Sequence, residues 1–282
     1  MHDSIAVAMS GGVDSSVAAW LLRQQGEQAV GVTMRLFVPE DLAPGQREQC
    51  HILEDLQDAR TVAGQLGIPH HTLDLSGLFR EQVMEPFVQA YEQGRTPNPC
   101  VTCNRTIKFG ALLEVAGQLG CGRLATGHYA RTERDTGSGR VLLKRAVHPE
   151  KDQSYVLWSL SQAQLERVCF PLGGLSKEEI RAIAEEQGLV SARRRDSQDI
   201  CFVPDGDYAA FLCHHTGRTY SPGPFCDPEG RVLGVHEGII HYTVGQRRGL
   251  KVSSNQGRLY VKELCPQENR VILSDNQALF HR

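Results

Sequence analysis

The feature that most constrains the fold is a strand, a glycine turn and a helix in direct succession near the N-terminus. The apolar run at 5–9 predicts a buried strand, the segment SGGVDSS follows at 10–16, and residues 17–22 predict a helix that ends near Gly26. Two glycines permit close backbone approach, and the hydroxyls and free N–H groups at a helix start make a nest for phosphate. The alternative interpretation is a plain strand-to-helix turn that uses glycine for packing.

The loop differs from a Walker A loop because no lysine followed by Ser or Thr comes after its second glycine. A loop without lysine, but with Asp14 beside the glycines, suits a pyrophosphate that leaves better than a γ-phosphoryl group that is transferred. The segment SGGVDS resembles the PP-loop of the ATP pyrophosphatase superfamily. That resemblance implies adenylation of a carbonyl oxygen with release of pyrophosphate.

Length and composition set broad limits. A chain of 282 residues is long enough for one large or two modest domains. No run approaches the ~18 apolar residues of a membrane span, and the first residues lead into a strand without a basic and apolar signal region. We therefore expect a cytoplasmic protein. With a net charge of −3, any contact with nucleic acid must come from local basic patches.

Strands alternate with helices over the first half of the chain, which predicts a doubly wound parallel sheet. The loop, Met34 and Gly127 all fall at the carboxyl ends of predicted strands, where such sheets bind ligands. The predicted strands are 5–9, 29–34, 71–75 and 123–126. The predicted helices are 52–66, 79–91 with a bend at Pro86, and 107–119, whereas 37–47 and 94–104 are predicted to be loops.

The pattern changes towards the C-terminus. A hairpin is predicted over 129–147, and Ser176 begins a helix with the form of a capping box. After Pro204 the chain becomes richer in glycine, with short β-like runs at 232–235, 239–244, 259–261 and 271–273. We predict two domains, a catalytic domain over 1–203 and a small β-rich domain over 204–282.

Nine cysteines occur, at positions 50, 100, 103, 121, 169, 201, 213, 226 and 265. An odd, scattered number argues against a disulfide framework. Cys100 and Cys103 lie three apart on the predicted proline-rich loop, and Cys201 is a third candidate. An unperturbed thiol is only about 3% ionised at pH 7, so reactivity needs a helix start or a cation such as Arg105, Lys108 or 193–195. A transient Cys103–Cys201 disulfide suits a reducing compartment better than a permanent one.

Six motifs occur in order: SGGVDSS, TPNPCVTCNRTIKFG, ATGHYA, KDQSYVLWSL, DSQDICFVP and YTVGQRRGL. By this combination, which spans essentially all of the chain, the protein resembles the tRNA-specific 2-thiouridylase family. The resemblance implies a PP-loop ATP pyrophosphatase fold, of the adenine nucleotide alpha hydrolase-like type, with a small β-rich domain. It also implies that ATP activates carbon 2 of the wobble uridine in tRNAs for Lys, Glu and Gln, and that sulfur then replaces the oxygen.

The resemblance also assigns roles by position. Cys103 would be the nucleophile and Cys201 the carrier of persulfide sulfur. ATP and Mg²⁺ are the implied small molecules, and the sulfur donor would be a cysteine desulfurase, a sulfur-relay protein or free sulfide. The implied ATP-binding residues are Ala8, Met9, Ser10, Gly11, Gly12, Val13, Asp14, Ser15, Met34 and Gly127. The implied contacts to the base and tRNA are Asn98, Pro99, Cys100, Lys151, Asp152 and Gln153, to which we add Arg247 and Arg248 as phosphate contacts.

Two departures from the family pattern leave alternatives open. Some members have an aspartate at the position of Cys100. Here Cys100, Cys103 and Cys201 give three thiolates, a pattern that resembles thiouridylases holding a 4Fe–4S cluster with one open iron, so a persulfide route and a cluster route both stay open. Typical members also continue into a third, β-barrel domain that helps to grip tRNA, so this chain is either a short natural form or a truncated one.

Several other residues, and the function itself, have alternative interpretations. Cys213, His214, His215 and Cys226 match no standard zinc-finger spacing, and His128 is expected to be a packed histidine. The arginines at 193–195 are either a solvated face or part of an RNA or sulfur site. The rival functions are another PP-loop adenylating ligase, and a catalytically weak protein that binds tRNA or senses redox state.

Overall fold

The computed structural model describes residues 4–194, 199–252 and 257–275, which form two compact units. The first unit comprises Met1–Pro39, Cys50–Val83 and Pro99–Ile200, and the second comprises Glu40–Gln49, Met84–Asn98 and Cys201–Arg282. Two earlier pieces of chain thus belong to the second unit. The predicted domain boundary between residues 203 and 204 stays a prediction.

Eleven strands and ten α-helices occur within the described ranges. The strands are β1 Ser4–Ala8, β2 Gln28–Arg35, β3 His70–Asp74, β4 Cys121–Thr126, β5 Ala130–Arg134, β6 Val141–Arg145, β7 Val168–Cys169, β8 Gly223–Cys226, β9 Val232–His236, β10 Tyr260–Cys265 and β11 Arg270–Ser274. The helices are α1 Val13–Gln24, α2 Pro44–Arg47, α3 Ile52–Leu66, α4 Ser76–Phe79, α5 Glu85–Glu92, α6 Pro99–Cys103, α7 Leu112–Gln118, α8 Gln162–Leu165, α9 Lys177–Glu186 and α10 Tyr208–Thr216.

A five-stranded sheet forms the centre of the first unit, with strand order β3-β2-β1-β4-β7 and every neighbouring pair parallel. Ala8 at the end of β1 pairs in register with Val32 of β2 and Thr126 of β4. The carboxyl ends of the three middle strands therefore share one edge. This confirms the predicted parallel sheet, and the four predicted strands match β1 to β4 within two residues at each end.

Alternation along β1 divides the core between the two faces of the sheet. Ile5 and Val7 belong to one buried cluster, which includes residues of α1, α3 and α9, whereas Ala6 belongs to a second cluster with residues of α7 and α8. Successive side chains of a strand point to opposite faces. Helices therefore cover both faces, as a doubly wound fold requires.

The second unit contains a four-stranded sheet with the order β10-β11-β8-β9. Its β11–β8 pair is parallel, and its two other pairs are antiparallel. The predicted β-rich character is confirmed, but the predicted strand at 239–244 is wrong, because Ile239–His241 is a 3₁₀ helix that begins after Gly238 at a φ of 141°. The segment at 84–98 also belongs to this unit. Within it, Phe87 of α5 packs against Phe202 and Phe211, with ring centroids 5.3 and 6.0 Å apart.

The sequence also misplaced several helices. The predicted loop at 37–47 contains a 3₁₀ helix, Pro39–Asp41, and α2. The predicted helix at 79–91 is divided, since a π-helix at Arg80–Met84 separates α4 from α5, and Pro86 lies in the first turn of α5. Proline is tolerated there because N–H groups in the first turn have no helical acceptor.

The predicted hairpin and capping box are both present in the first unit. Strands β5 and β6 pair antiparallel from Ala130 opposite Arg145 to Arg134 opposite Val141. The hydroxyl of Ser176 accepts from the backbone N of Glu179 at 3.2 Å, and the Glu179 carboxylate accepts from the backbone N of Ser176 at 2.7 Å. Among the described residues, no helix is both long enough and apolar enough to cross a membrane.

Candidate active site

The predicted phosphate nest has the expected backbone geometry. Strand β1 ends at Ala8, Gly11 adopts a φ of 79°, and α1 starts after Gly12. The hydroxyl of Ser15 accepts from the backbone N of Ser10 at 3.0 Å and donates to the carbonyl oxygen of Gly12 at 3.1 Å. These bonds close the loop on itself and direct it into the start of α1, where unpaired N–H groups attract anions.

Two glycines allow neighbouring chain segments to approach this loop. A Cβ on Gly11 would lie 2.4 Å from the carbonyl oxygen of Asp55 in α3, and a Cβ on Gly127 would lie 2.9 Å from the backbone N of Ser15. Gly127 follows β4 directly. The carboxyl end of β4 therefore packs against the loop, as the sequence predicted.

Met34 lies at the same edge of the sheet, two residues beyond Val32. The carbonyl oxygen of Val32 accepts from the backbone N of Met9 at 2.9 Å. The structure thus brings the predicted ATP-binding residues 8–15, Met34 and Gly127 to the carboxyl ends of β1, β2 and β4. Their role in binding ATP stays a prediction.

A cluster of polar side chains at the start of α1 was not predicted from the sequence. Oδ1 of Asp14 lies 2.7 Å from the hydroxyl of Tyr129 and 2.7 Å from Nζ of Lys177. The Lys177 side chain is only 8% exposed. The capping box marked Ser176 as a helix start, but no signal linked the next residue to a loop 163 positions away.

The prediction that Cys100 and Cys103 lie on a loop is wrong. Helix α6 begins at Pro99, a residue favoured in the first turn, and a π-helix at Asn104–Ala111 continues it. Positions three apart on a helix share one face, so the two thiols are neighbours because of helical spacing. Asn104 anchors the following turn, since it is buried and its Nδ2 donates to the carbonyl oxygen of Val156 at 3.2 Å.

The environments of the two thiols differ. Cys100 is exposed and Cys103 is buried. Burial raises the pKa of Cys103 to about 11, although Lys108 acts in the opposite direction. Burial also raises the pKa of Cys100, with Lys108 opposing this shift and Asp199 adding to it. The expected cation is therefore present, but it does not activate either thiol in this state of the protein.

The predicted tRNA contacts of the first unit make bonds within the protein. Gln153 Oε1 accepts from the backbone N of Tyr129 at 3.0 Å. Burial disfavours the charged form of Asp152, but hydrogen bonds from the Ala146 backbone N and from Ser154 outweigh this effect and lower the pKa of Asp152. Lys151 is half-buried at the end of a 3₁₀ helix, Pro149–Lys151. These residues shape a turn beside β5 and β6.

The remaining predicted residues lie in the second unit. Cys201, Asn98, Arg247 and Arg248 are exposed there. A depression of about 600 Å³ is lined by three basic side chains, Arg247, Lys251 and Arg258, among other residues. Of the motif that precedes Cys201, residues 195–198 lie outside the described residues, and these include one of the three predicted arginines.

The described residues contain no group of three His, Cys, Asp or Glu side chains able to hold a metal ion. In the second unit, Nε2 of His214 bonds to the carbonyl oxygen of Glu40 at 3.0 Å, and His215 packs against the ring of Phe211. These contacts favour the packed helix over the zinc site.

His128 is buried against Phe109 and Phe170, and this burial lowers its pKa well below its usual range, as expected for a packed histidine.

Comparisons with known proteins cover both parts of the chain. A family model described as the tRNA methyl transferase HUP domain matches residues 3–205, and one described as the tRNA methyl transferase PRC-barrel domain matches residues 209–275. The tRNA-specific 2-thiouridylase MnmA 2 of Thermoanaerobacter sp. (strain X514) is 50% identical over 281 residues, which are 99% of this chain and 77% of that protein. The chain belongs to the tRNA-specific 2-thiouridylase family.

A second thiouridylase, that of Clostridioides difficile (strain 630), is 43% identical over 282 residues, which are 100% of this chain and 78% of that protein. Among solved structures, a 4-thiouridine synthetase–RNA complex with bound ATP aligns with 21% identity and a TM-score of 0.41, covering 72% of this chain and 45% of that chain. The PP-loop of a thiouridylase implies the use of ATP.

Proposed function

We propose that the protein is an ATP-dependent tRNA 2-thiouridylase that acts in the cytoplasm on tRNAs for Lys, Glu and Gln. The observation that carries the proposal is the closed loop at 10–16, set at the carboxyl edge of a parallel sheet in a unit that also holds Cys100 and Cys103 on one helix face. The identity of up to 50% with thiouridylases over nearly the whole chain supports the same conclusion.

The first step is adenylation of the target base. The carbon-2 oxygen of uridine donates an electron pair to the α-phosphorus of ATP, the bond from that phosphorus to the β-phosphate breaks, and pyrophosphate leaves with the bonding pair. The N3 proton of the base passes to solvent. The loop at 10–16 would bind the phosphates with N–H groups and hydroxyls, and Mg²⁺, when bound with ATP, would neutralise part of their charge.

The second step delivers sulfur. The terminal sulfur of a persulfide on Cys201 attacks carbon 2, and AMP leaves with the former carbonyl oxygen. The Cys103 thiolate then attacks the Sγ atom of Cys201, and the electron pair of the broken S–S bond moves to the sulfur on the base. This gives 2-thiouridine and a Cys103–Cys201 disulfide, which a dithiol reductant returns to two thiols.

The burial of Cys103 fits a nucleophile that is inactive at rest. With a pKa of about 11, this thiol is protonated at neutral pH and reacts slowly with oxidants. Binding of substrates must bring Cys103 out of its buried position or closer to Lys108 before it attacks. The thiol would then be reactive only when an adenylated base and a persulfide are both present.

In the cluster route, three cysteine thiolates would hold one iron–sulfur cluster. Cys100 and Cys103 would supply two of them from α6, and Cys201 the third. Cys100 and Cys103 lie on one helix of the first unit, whereas Cys201 belongs to the second unit. We propose the persulfide route, in which a desulfurase or a sulfur-relay protein transfers sulfane sulfur to the Cys201 thiol. Free sulfide would form the same persulfide by attacking Sγ of Cys201 in the Cys103–Cys201 disulfide, which releases Cys103 as a thiolate.

Two aromatic side chains are exposed on the surface of the first unit. Tyr155 and Trp158 are 63% and 72% exposed, and they follow Lys151 closely in sequence. Aromatic faces stack on unpaired bases and lysine binds phosphate. We propose that this turn binds tRNA, that Asn98, Pro99 and Cys100 face the flipped-out base, and that Arg247 and Arg248 bind phosphates.

Mass spectrometry of tRNA nucleosides tests the function directly. The protein is incubated with tRNA, ATP, Mg²⁺ and a persulfide donor, namely a cysteine desulfurase with cysteine, and 2-thiouridine is expected. Cys103→Ser and Cys201→Ser should each abolish it, whereas Cys50→Ser, a half-buried cysteine away from these motifs, should not. A rival adenylating ligase would keep its activity in both cysteine variants.

The Cys100→Asp variant separates the two sulfur routes, because some family members carry aspartate at this position. If sulfur is carried as a persulfide, this variant should keep its activity. If three cysteines hold a cluster, the variant should lose both the cluster and the activity. Anaerobic purification with iron and sulfide analysis accompanies the assay. Iron and sulfide in stoichiometric amounts that disappear in Cys100→Asp would replace the persulfide route with the cluster route.

A further inference from the structure

The phosphate-binding loop contains no cationic side chain of its own. Residues 10–16 provide glycine, serine, valine and one carboxylate. Pyrophosphate gains negative charge as it leaves, so a positive side chain near the leaving group adds to the stabilisation from N–H donors and Mg²⁺. Lys177 is such a group, because its Nζ lies 2.7 Å from Oδ1 of Asp14, in the first turn of the helix that the loop opens.

The position of Lys177 is set by several contacts. It is the first residue of α9, a helix whose start is held by the Ser176–Glu179 capping box. Its Nζ also lies 6.0 Å from the centre of the Tyr129 ring, and the hydroxyl of Tyr129 donates to the same oxygen of Asp14. A carboxylate and an aromatic ring thus hold the ammonium group beside the loop.

The burial of this lysine points to a use beyond stability. Lys177 is 7% exposed, and transfer of a lysine and a carboxylate from water costs free energy that a single ion pair seldom recovers. An apolar residue would serve packing against Tyr129 at least as well. Asp14 is 31% exposed, so the pair remains accessible from solvent at the first turn of α1.

We propose that Lys177 is a further catalytic residue, which contacts the β-phosphate of ATP and stabilises the leaving pyrophosphate. As the bond between the α-phosphorus and its bridging oxygen breaks, the electron pair stays on that oxygen, and the ammonium of Lys177 stabilises the new charge without giving up a proton. Asp14 and Tyr129 are positioning residues that hold the ammonium group in place. This inference rests on the proposed function for its place in the reaction.

Binding measurements with two probes test the proposal without any sulfur transfer. Inorganic pyrophosphate contains the group that Lys177 would contact, and AMP lacks it. Lys177→Met should weaken pyrophosphate binding, measured by calorimetry with Mg²⁺ present, by about tenfold to a hundredfold, and leave AMP binding within about twofold. Lys177→Arg should restore part of the affinity for pyrophosphate, because it retains the charge.

Lys144→Met is the matched control. It removes the same charge from the same unit, at an exposed pair with Glu133 on the β5–β6 hairpin. Its pyrophosphate affinity should equal that of the wild type. Equal loss of pyrophosphate and AMP binding in Lys177→Met, or no loss of either, would overturn the proposal and leave Lys177 as a structural ion pair.

A measurement on the unaltered side chain covers the case in which Lys177→Met does not fold. In protein labelled with ¹⁵N at lysine Nζ, pyrophosphate should shift the Lys177 resonance and AMP should not. The spectrum of Lys177→Arg identifies that resonance, and a resonance unmoved by pyrophosphate contradicts the proposal. Wild-type protein that shows this Lys177-dependent binding but makes no 2-thiouridine would refute the proposed function and not the role of Lys177.

Discussion

The Nε atom of Arg194 lies 2.7 Å from Oδ2 of Asp58, so Arg194, the last residue of the described range 4–194, is bonded to α3. The same guanidinium lies 3.4 Å from a carboxylate oxygen of Glu54 and 3.6 Å from one of Asp55. The backbone of Asp55 in turn packs against Gly11 of the phosphate loop. Arg194, one of the three arginines at 193–195, thus forms structural ion pairs with α3. Helix α3 also contacts the loop at 10–16.

Removing this guanidinium should destabilise the first unit. Arg194→Met leaves three carboxylates within one turn of α3, and Asp55 is already partly buried, which raises its pKa against the effect of Arg194. We expect a loss of about 1–2 kcal/mol in the free energy of unfolding, measured with urea. Arg134→Met, at an exposed pair 3.8 Å from Glu166, should change it by less than about 0.5 kcal/mol. Equal effects of the two variants would contradict the structural role of these ion pairs.

Two glycines with the same φ angle allow the cost of backbone strain to be measured separately from the cost of a steric clash. Gly11 and Gly26 both have a φ of 79°, but a Cβ at Gly26 would meet nothing within 4 Å. Gly26→Ala should cost about 1 kcal/mol from the left-handed backbone alone. Gly11→Ala should cost clearly more and weaken ATP binding at least about tenfold, because α3 must move away from the loop. Urea unfolding and calorimetry check both numbers, and similar ATP affinities in the two variants would refute the clash.

The raised pKa of Cys103 predicts a steep pH dependence of its alkylation. Only the thiolate reacts, so with a pKa of about 11 the rate with iodoacetamide should rise about tenfold per pH unit from pH 7 to 10. In urea-unfolded protein the rate should level off near pH 9, since the same thiol regains its ordinary pKa. Peptide mass spectrometry follows the modification of Cys103 alone.

Lys108→Met extends this test. Lys108 lowers the pKa of Cys103, so its removal should raise that pKa further and slow alkylation at any given pH below 11. The unfolded protein should show no such difference. Faster alkylation of folded Lys108→Met would show that the lysine does not act on this thiol as the geometry indicates.

The capping box at the start of α9 predicts a measurable stability effect. Ser176→Ala removes the hydroxyl that accepts from the backbone N of Glu179, and should reduce the free energy of unfolding by about 1 kcal/mol. Ser176→Asp keeps an acceptor there and should lie close to the wild type. Thermal or urea unfolding distinguishes the two variants.

The stability that the Ser176–Glu179 capping box contributes depends on pH. Hydrogen bonds from the backbone and hydroxyl of Ser176 lower the pKa of Glu179. A lowered carboxyl pKa adds stability above the unfolded value near 4.3, and this contribution is lost as the pH falls below it. Glu179→Gln should therefore lose less stability than the wild type between pH 6 and 3, and an identical pH profile for both proteins would exclude this linkage.

Local sequence signals were sufficient for the parallel sheet and the phosphate loop. The strands β1 to β4 are bounded by glycine and loop residues, and the loop closes through bonds between sequence neighbours, such as the Ser10–Ser15 bond. Weak or very short segments were missed. Strand β7 has two residues, and the helical turn at Cys100 follows prolines that are more typical of a loop.

Sequence patterns alone were enough to predict an α/β unit with a glycine loop after its first strand, a β-rich second unit and the cysteines that are candidates for sulfur chemistry. The burial and high pKa of Cys103, the bonds from Arg194 to α3 and the position of Lys177 beside Asp14 became visible in the folded structure. The reason is physical. Strand and loop formation follow from residues a few positions apart, whereas burial and charge pairing depend on which distant segments pack together, and 163 positions separate Asp14 from Lys177.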